Sequence, residues 1–535
     1  MSTSILETSP LTGEAGSKRV RERRQAPVLL LILGSVTAAV ALVPLVYLIV
    51  RVWGAGIDRI IDVLWRARTA ETIGTSIALV VVVTGLCLVI GIPTAWLVSR
   101  TNIPLRKTWV VLLALPLAVP SYVAAYAWIA QFPWFSGFWA AVTVLVLVST
   151  PYIVLPTAAA FRSADPALEE VARSLGRSPL RAFLGATMPQ AWPAAAAGAL
   201  LVALYTLSDF GAVALFRVDA FTRVIYASYR GSFDRVGAAV LALLLVALAA
   251  LLVLAERRTR GARRRWRSAS GTQRQAVVVP LTGPLRVLSI CWLTALTILA
   301  LGVPIGSLIN LMTRARAVNI DVNTLLTAAL TSGWVSFMGA ILAVLLALPV
   351  GIIAARYRSR SVHTIETLSY TGHALPGVVV GLSLVFFTLS VVPVAYQTVF
   401  TLAFAYAVLF LPKSVGATRS STATVSPILE QTARTLGRGP LTAWASTTAR
   451  LSAPGIAAGG LLVLLTAMKE LPATLMLRPT GWDTLATEMW SRTEIAAYGE
   501  AAPYAIALIA IAALPAWLLS RAMTATAPVA MSANR

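Results

Sequence analysis

Asp209 and Glu470 are acids set in apolar sequence, "TLSDFGAVALF" (206 to 216) and "MKELPATLMLRPTGWDTLATEMW" (468 to 490), and Lys469 stands beside the second. Ionisable side chains at membrane depth are costly, so they face protein or a water-filled cavity, and the chemistry open to them is ion passage or gating. The alternative is structural: the acids mark irregular helix turns, or Glu470 pairs with Lys469. Pro120 and Pro376, 256 positions apart within apolar runs, would break their helices as path-lining discontinuous helices do, or kink them for packing alone. A second constellation is charged and occurs twice, "DPALEEVARSLGRSP" (165 to 179) and "SPILEQTARTLGRGP" (426 to 440). For enzymatic chemistry there is little material. The histidines are His363 and His373 alone, and Cys87 and Cys291 read as small core residues, with neither metal spacing nor a disulfide framework.

The elements that must position these residues are membrane helices. Of 535 residues 58% are hydrophobic and 12% charged, with a mean hydropathy of +0.80, too apolar for an ordinary soluble domain. Runs such as 27 to 50 exceed the roughly 20 apolar residues a spanning helix needs, and unbroken runs of this length exclude barrel strands. The expected fold is all-α and polytopic, with about twelve spans: 27–50, 72–98, 108–130, 138–161, 191–216 and 236–255, then 285–311, 325–355, 364–390, 395–418, 454–478 and 502–521. The overlong 325–355 is expected to include a lead-in segment that does not span. Aromatic residues Trp128, Trp134, Phe135 and Trp139 read as an interface belt.

The net charge of +23 is carried by Lys and Arg in short stretches between spans, the positive-inside pattern, and no soluble domain remains to bind nucleic acid. The tail with "KRVRERR" (18 to 24), the linker "ERRTRGARRRWRSASGTQRQ" (256 to 275) and the C terminus then share the cytoplasmic side. The first run is too long for a signal peptide and is expected to be retained. Arg51, Arg59, Arg66, Arg68, Arg217, Arg223, Arg230 and Arg235 fall on the other side, so orientation rests chiefly on tail and linker.

The halves repeat. "GIPTAWLVSR" (91 to 100) answers "ALPVGIIAAR" (347 to 356), placing Pro93 on Pro349 and Arg100 on Arg356. Further on Gly176 answers Gly437, Pro193 answers Pro454 and Asp209 answers Glu470, an offset of 261. Two homologous six-helix halves of like orientation follow: a tail (1–26), a first six-helix domain (27–255), a basic linker (256–284), a second six-helix domain (285–521) and a C-terminal tail (522–535).

Between the fourth and fifth spans of each half the charged segment encodes a short helix. Asp165 and Ser426 suit the N-cap and Pro166 and Pro427 the first helical position, while Gly176 and Gly437 suit a left-handed stop. Leu168, Val171, Ala172 and Leu175, like Leu429, Thr432, Ala433 and Leu436, form a stripe at i, i+3, i+4 and i+7. Glu169 with Arg173, and Glu430 with Arg434, are spaced as i, i+4 pairs. An interfacial connector could be amphipathic too, but it need not keep the same caps, charges and stop twice. A docking knob for a soluble partner would.

"EVARSLGRSPLRAFLGATMP" (170 to 189) resembles the cytoplasmic loop of binding-protein-dependent ABC importer permeases, Glu-Ala-Ala, three residues, Gly, nine residues, Ile-x-Leu-Pro. Glu170, Ala172, Gly176 and Pro189 match, and Val171, Ala186 and Met188 depart conservatively. In the second copy Ala433 and Gly437 match, Gln431 replaces the Glu, Arg450 replaces the Pro, and Glu430 keeps an acid one residue earlier. With "LALPLAVPSYVAAYAWIA" (113 to 130) and the segments around the buried acids, the chain looks like the fused two-domain permeases of ferric-iron importers. That resemblance implies a bacterial inner-membrane subunit that is no enzyme and binds no cofactor. It also implies two copies of a cytoplasmic ATPase that bind the ATP and dock on these helices, and an external binding protein or lipoprotein. The chain has no Gly-x-x-x-x-Gly-Lys-Ser/Thr phosphate loop of its own. Related permeases carry thiamine, polyamines or anions, so the cargo stays open. An ion-gradient-driven transporter of two six-span halves is the more distant alternative, and it has no reason to repeat a docking element.

Overall fold

The computed structural model describes residues 26–231, 234–261, 278–314 and 321–525. The two tails and most of the basic linker therefore lie outside the described residues. Within them the chain is helical, with one isolated bridge, Thr101 to Val279, and no strand.

The first half runs α1 (Val28–Trp53), α2 (Ala67–Arg100), α3 (Arg106–Ala118), α4 (Ser121–Gln131), α5 (Phe138–Ser163), α6 (Pro166–Ser174), α7 (Pro179–Ser208), α8 (Gly211–Leu215), α9 (Phe221–Arg230) and α10 (Arg235–Ala255). The second half repeats it as α11 (Gly283–Thr313), α12 (Val322–Arg356), α13 (Arg360–Ser369), α14 (Gly377–Val391), α15 (Val399–Thr424), α16 (Pro427–Thr435), α17 (Pro440–Ala467), α18 (Pro472–Leu477), α19 (Leu485–Glu494) and α20 (Tyr498–Ala525). Among the described residues nine helices are long and apolar enough to cross a membrane, α3 and α4 form a tenth candidate bent by 92°, and α14 is a shorter apolar helix.

Two sequence expectations change, at the fifth and eleventh spans and at Cys291. The overlong eighth span is one continuous helix, α12, of 35 residues, capped by Asp321, which accepts from the backbone N–H groups of Asn323 and Thr324 at 3.0 and 3.2 Å. Its counterpart α2 has 34 residues, and helices of this length tilt or project beyond the hydrocarbon. The spans expected at 191–216 and 454–478 begin earlier and stop at Ser208 and Ala467, each followed by a break and a helix of five or six residues. Hydropathy does not see such breaks, because the residues on both sides are apolar. Cys87 is buried, but Cys291 is exposed on α11, where an apolar position that faces lipid needs no protein around it.

The first helix of each half packs on the other half. Ala38 and Ala41 of α1 are buried with Ala347, Val350 and Ile353 of α12, and the Thr37 hydroxyl donates to the Leu346 carbonyl at 2.9 Å. Conversely Leu293, Leu296 and Ala300 of α11 join the core of α2 and α5, Trp292 Nε1 donates to Thr94 at 3.0 Å, and Ser307 donates to the Ala127 carbonyl at 2.7 Å. Small residues permit this close packing where lipid gives no hydrophobic reason to prefer one neighbour. Within halves, Gly198 lets α7 approach α5 so closely that a Cβ there would sit 2.4 Å from the Tyr152 carbonyl oxygen. Backbone cannot yield as a side-chain tip can, so Gly198→Val is expected to destabilise the purified protein by at least ~1–3 kcal/mol, read as an earlier thermal unfolding transition.

Three of the eight arginines that blurred the charge asymmetry are paired locally. Arg59 and Arg66 pair with Asp234 at 3.5 and 3.3 Å, and Arg223 pairs with Asp219. The Gly237 N–H, with these guanidiniums, holds the Asp234 carboxyl below its usual range.

Candidate functional site

The two short charged helices, α6 and α16, share one end of the molecule and one local geometry. The Asp165 carboxylate accepts from the Ala167 N–H at 3.0 Å, and the Ser426 hydroxyl accepts from the Ile428 N–H at 3.4 Å. Both end in the same double closure: Gly176 N–H to the Arg173 carbonyl and Arg177 N–H to that of Ala172, repeated by Gly437 to Arg434 and Arg438 to Ala433. Gly176 and Gly437 take φ of +81° and +84°, which a side chain would strain.

On the outward face Leu168, Val171 and Leu175 are exposed, as are Leu429 and Leu436 in the second copy, while Ala172 is half-buried and Ala433 buried. Glu170, Arg173 and Arg434 are exposed on the same helices. Each short helix thus presents an exposed apolar ridge ringed by charge.

Glu169 departs from its expected role. It does not serve as the surface partner of Arg173. Its carboxylate turns inward to Arg100, at the last turn of α2, at 2.5 Å, and accepts from the Thr187 hydroxyl at 2.6 Å. Arg100 is only 2% exposed. Thr187 closes a five-residue π-helical turn, Phe183–Thr187, two residues before Pro189. The second half has the same π turn, Ala445–Ala449, and the same three residue types, but loosens the link. There Arg356 donates to Thr448 at 3.3 Å, and Thr448 donates to Glu430 at 3.2 Å. Glu430 also keeps the expected Arg434 pair, at 4.0 Å. The repeat had aligned Arg100 with Arg356, and that was the one sequence signal pointing to this network.

At mid-length of the bundle both halves contain breaks, and the candidate path residues gather at them. Pro120 and Pro376 take the same extended conformation, φ −60° and −61°, as N-caps of α4 and α14. Asp209 follows α7, and its carboxylate accepts from the Ala212 and Val213 N–H groups at 2.9 and 3.4 Å. Glu470 follows α17 and accepts from the Ala473 and Thr474 N–H groups, each at 3.0 Å, and from the Thr474 hydroxyl. Each acid therefore caps the short helix after a break, where free amide groups favour an anion. Gly377 leaves room for this, since a Cβ there would lie 2.5 Å from Glu470 Oε1. Lys469 turns away from Glu470 and donates to the Leu117 carbonyl of the other half at 3.1 Å, while the Tyr122 hydroxyl donates to the Lys469 carbonyl at 3.3 Å.

Two stretches of the chain, residues 88–258 and 347–528, match one family model, the binding-protein-dependent transport system inner membrane component. The chain belongs to this family of transport permeases. Among its relatives is the Fe(3+)-transport system permease protein FbpB 2 of Haemophilus influenzae, 35% identical over 480 residues, covering 89% of this chain and 95% of the relative. Others match a single half's length. The molybdate/tungstate transport system permease protein WtpB of Thermococcus kodakarensis is 25% identical over 34% of this chain and 74% of its own, and the sulfate transport system permease protein CysW of Escherichia coli is 27% identical over 34% and 67%. The permease is thus a tandem of two family units, and the repeated α6 and α16 fall one in each matched stretch.

Proposed function

We propose that this permease is the membrane subunit of an ATP-binding-cassette importer for ferric iron in a bacterial inner membrane. Its N and C termini and α6 and α16 face the cytoplasm, and each of these helices seats one of two copies of an ATPase. An external binding protein delivers the cargo to the opposite face. The observation that carries the docking role is the pair of rigid helices with exposed Leu175 and Leu436, built alike at the same end of both halves. Glu170 lies exposed at the family's acidic position, with Ala172 and Gly176 behind it, and Glu430, Ala433, Arg434 and Gly437 serve the second seat. ATP-driven closure of the two ATPases would draw these helices together and bias the halves between two arrangements, a population shift at the expense of nucleotide. Asp209, Lys469, Glu470, Pro120 and Pro376, at the breaks between the halves, would line or hinge the path.

The iron assignment is supported by the relative named for Fe(3+) transport, which matches nearly end to end. A second reading, an oxyanion cargo, is favoured by the molybdate and sulfate relatives of each half's length. The test is ligand-stimulated ATP hydrolysis by the permease assembled with its ATPase and binding protein in liposomes. Ferric iron is expected to raise hydrolysis several-fold; stimulation by thiamine, sulfate or molybdate, with no response to iron, would replace the cargo.

A further inference from the structure

At the ends of α7 and α17 remote from α6 and α16, a cavity of about 890 Å³ opens between the halves. Arg217, Arg223, Arg230, Tyr226, Trp490 and Glu494 are among its lining residues, three cations against one acid. The pairing within it leaves positive charge over. Arg223 is matched by Asp219. Arg230 donates to the Tyr226 phenol at 2.5 Å and has no carboxylate within ion-pair distance among the described residues, while Glu494, which bears on Arg230 only from farther off, accepts from Trp490 Nε1 at 2.8 Å. Arg217, exposed and held at φ +58°, has no side-chain hydrogen bond or ion pair among the described residues. Arg478, which also bears on Arg230, is taken up by Asp483.

Deeper, at the helix breaks, the balance is the same. Lys469 and Lys413 are both half-buried. Lys469 donates to the Leu117 carbonyl, and Lys413 donates to the Thr466 hydroxyl at 2.9 Å and lies 5.0 Å from the Phe410 ring centre. Among the described residues neither lysine has an ion-pair partner, and no three His, Cys, Asp or Glu side chains come together to ligate a metal. The two acids at this depth are already committed to backbone amides as caps. A path for a bare trivalent cation would reverse this arrangement, since cation pores offer acid side chains and anion pores offer Arg and Lys.

From this distribution we infer that the permeating species is anionic: the Arg217–Arg230 cavity receives, and Lys413 and Lys469 pass on, ferric iron wrapped in oxyanion ligands. The inference rests on the import role proposed above and adds the charge class of the cargo. The experiment uses the permease with its ATPase and binding protein in liposomes. ⁵⁵Fe(III) is supplied in turn with ³²P-phosphate, ¹⁴C-carbonate and ¹⁴C-citrate, and ³⁵S-sulfate and ⁹⁹Mo-molybdate are supplied alone. Iron entering with one labelled oxyanion at a fixed ratio is the expected result. Iron entering with none of them overturns the anionic cargo and leaves iron import standing. Sulfate or molybdate entering where iron does not keeps the anionic cargo and removes iron, and entry of none of these ligands removes both. The double variant Arg217→Gln/Arg230→Gln alters two exposed side chains, so thermal unfolding should be unchanged while uptake at sub-saturating cargo falls about 10-fold. Arg217→Lys/Arg230→Lys should recover most of it, which a merely structural role would not predict; equal loss in both variants counts against a charge-selective cavity.

Discussion

With Leu175 and Leu436 both replaced by aspartate, the permease is expected to retain no ATPase on co-purification and to show no ATP-driven uptake. The two leucines are 76% and 77% exposed, so neither contributes to the permease's own core. Each is the C-cap residue just past its helix, at φ −82°, which aspartate adopts without strain, so α6 and α16 should persist. In a docked state each would bury most of its side chain, a gain of about 1.5–3 kcal/mol per leucine. Aspartate forfeits that gain and adds the desolvation of a charge. Two such losses acting together amount to several powers of ten in affinity. Co-purification at unchanged yield, from protein with an unchanged unfolding transition, would show that these ridges do not carry the partner. The single variants distinguish the seats: if α16 docks as α6 does, Leu436→Asp and Leu175→Asp should weaken capture comparably.

Glu169→Gln is expected to do more harm than the matching Glu430→Gln, although the two glutamates look alike in the repeat. Glu169 holds Arg100 through Nη2, and the buried Nε and Nη1 have no hydrogen-bond partner among the described residues. Removing one member of a buried pair leaves the other charge uncompensated, at a cost of about 3–5 kcal/mol. The link runs from the end of α2 to α6, so its loss should also detach the docking helix from the membrane bundle. ATP hydrolysis should then proceed with much less transport per nucleotide. Glu430 works through Thr448 and a half-exposed Arg434, where a pair is worth ~1 kcal/mol or less. Thermal unfolding of both variants, with ATP consumed per cargo imported, checks this. Equal effects would mean that the first-half link is no tighter in function than the second.

The largest divergence between pattern and structure lies in Glu169 itself. Its spacing to Arg173 is that of a surface pair, and i, i+4 geometry is all that a local reading can weigh. Arg100 is 69 positions away, and it competes successfully because it is buried with no alternative, whereas Arg173 has water. Asp209 and Glu470 diverge less. Their offset made them equivalent, but only the helix breaks supply the free amides that each carboxylate caps. The exposure of Cys291 follows from lipid being as apolar as a protein core.

The linear chain fixed whatever depends on a few consecutive residues or on hydropathy averaged over a turn: the apolar helices, the two-fold repeat, the caps and stops of α6 and α16, and the breaks at Pro120 and Pro376. The tertiary structure decided the rest. It set which half receives α1 and α11, which cation takes Glu169, where Lys469 donates, and how Arg217 and Arg230 come to share a cavity with Trp490 and Glu494 of the other half. Membrane helices have closely similar hydropathy, so their neighbours are selected by the fit of small residues such as Ala38, Ala41 and Gly198 and by single hydrogen bonds across the bundle, and neither leaves a periodic trace in the sequence.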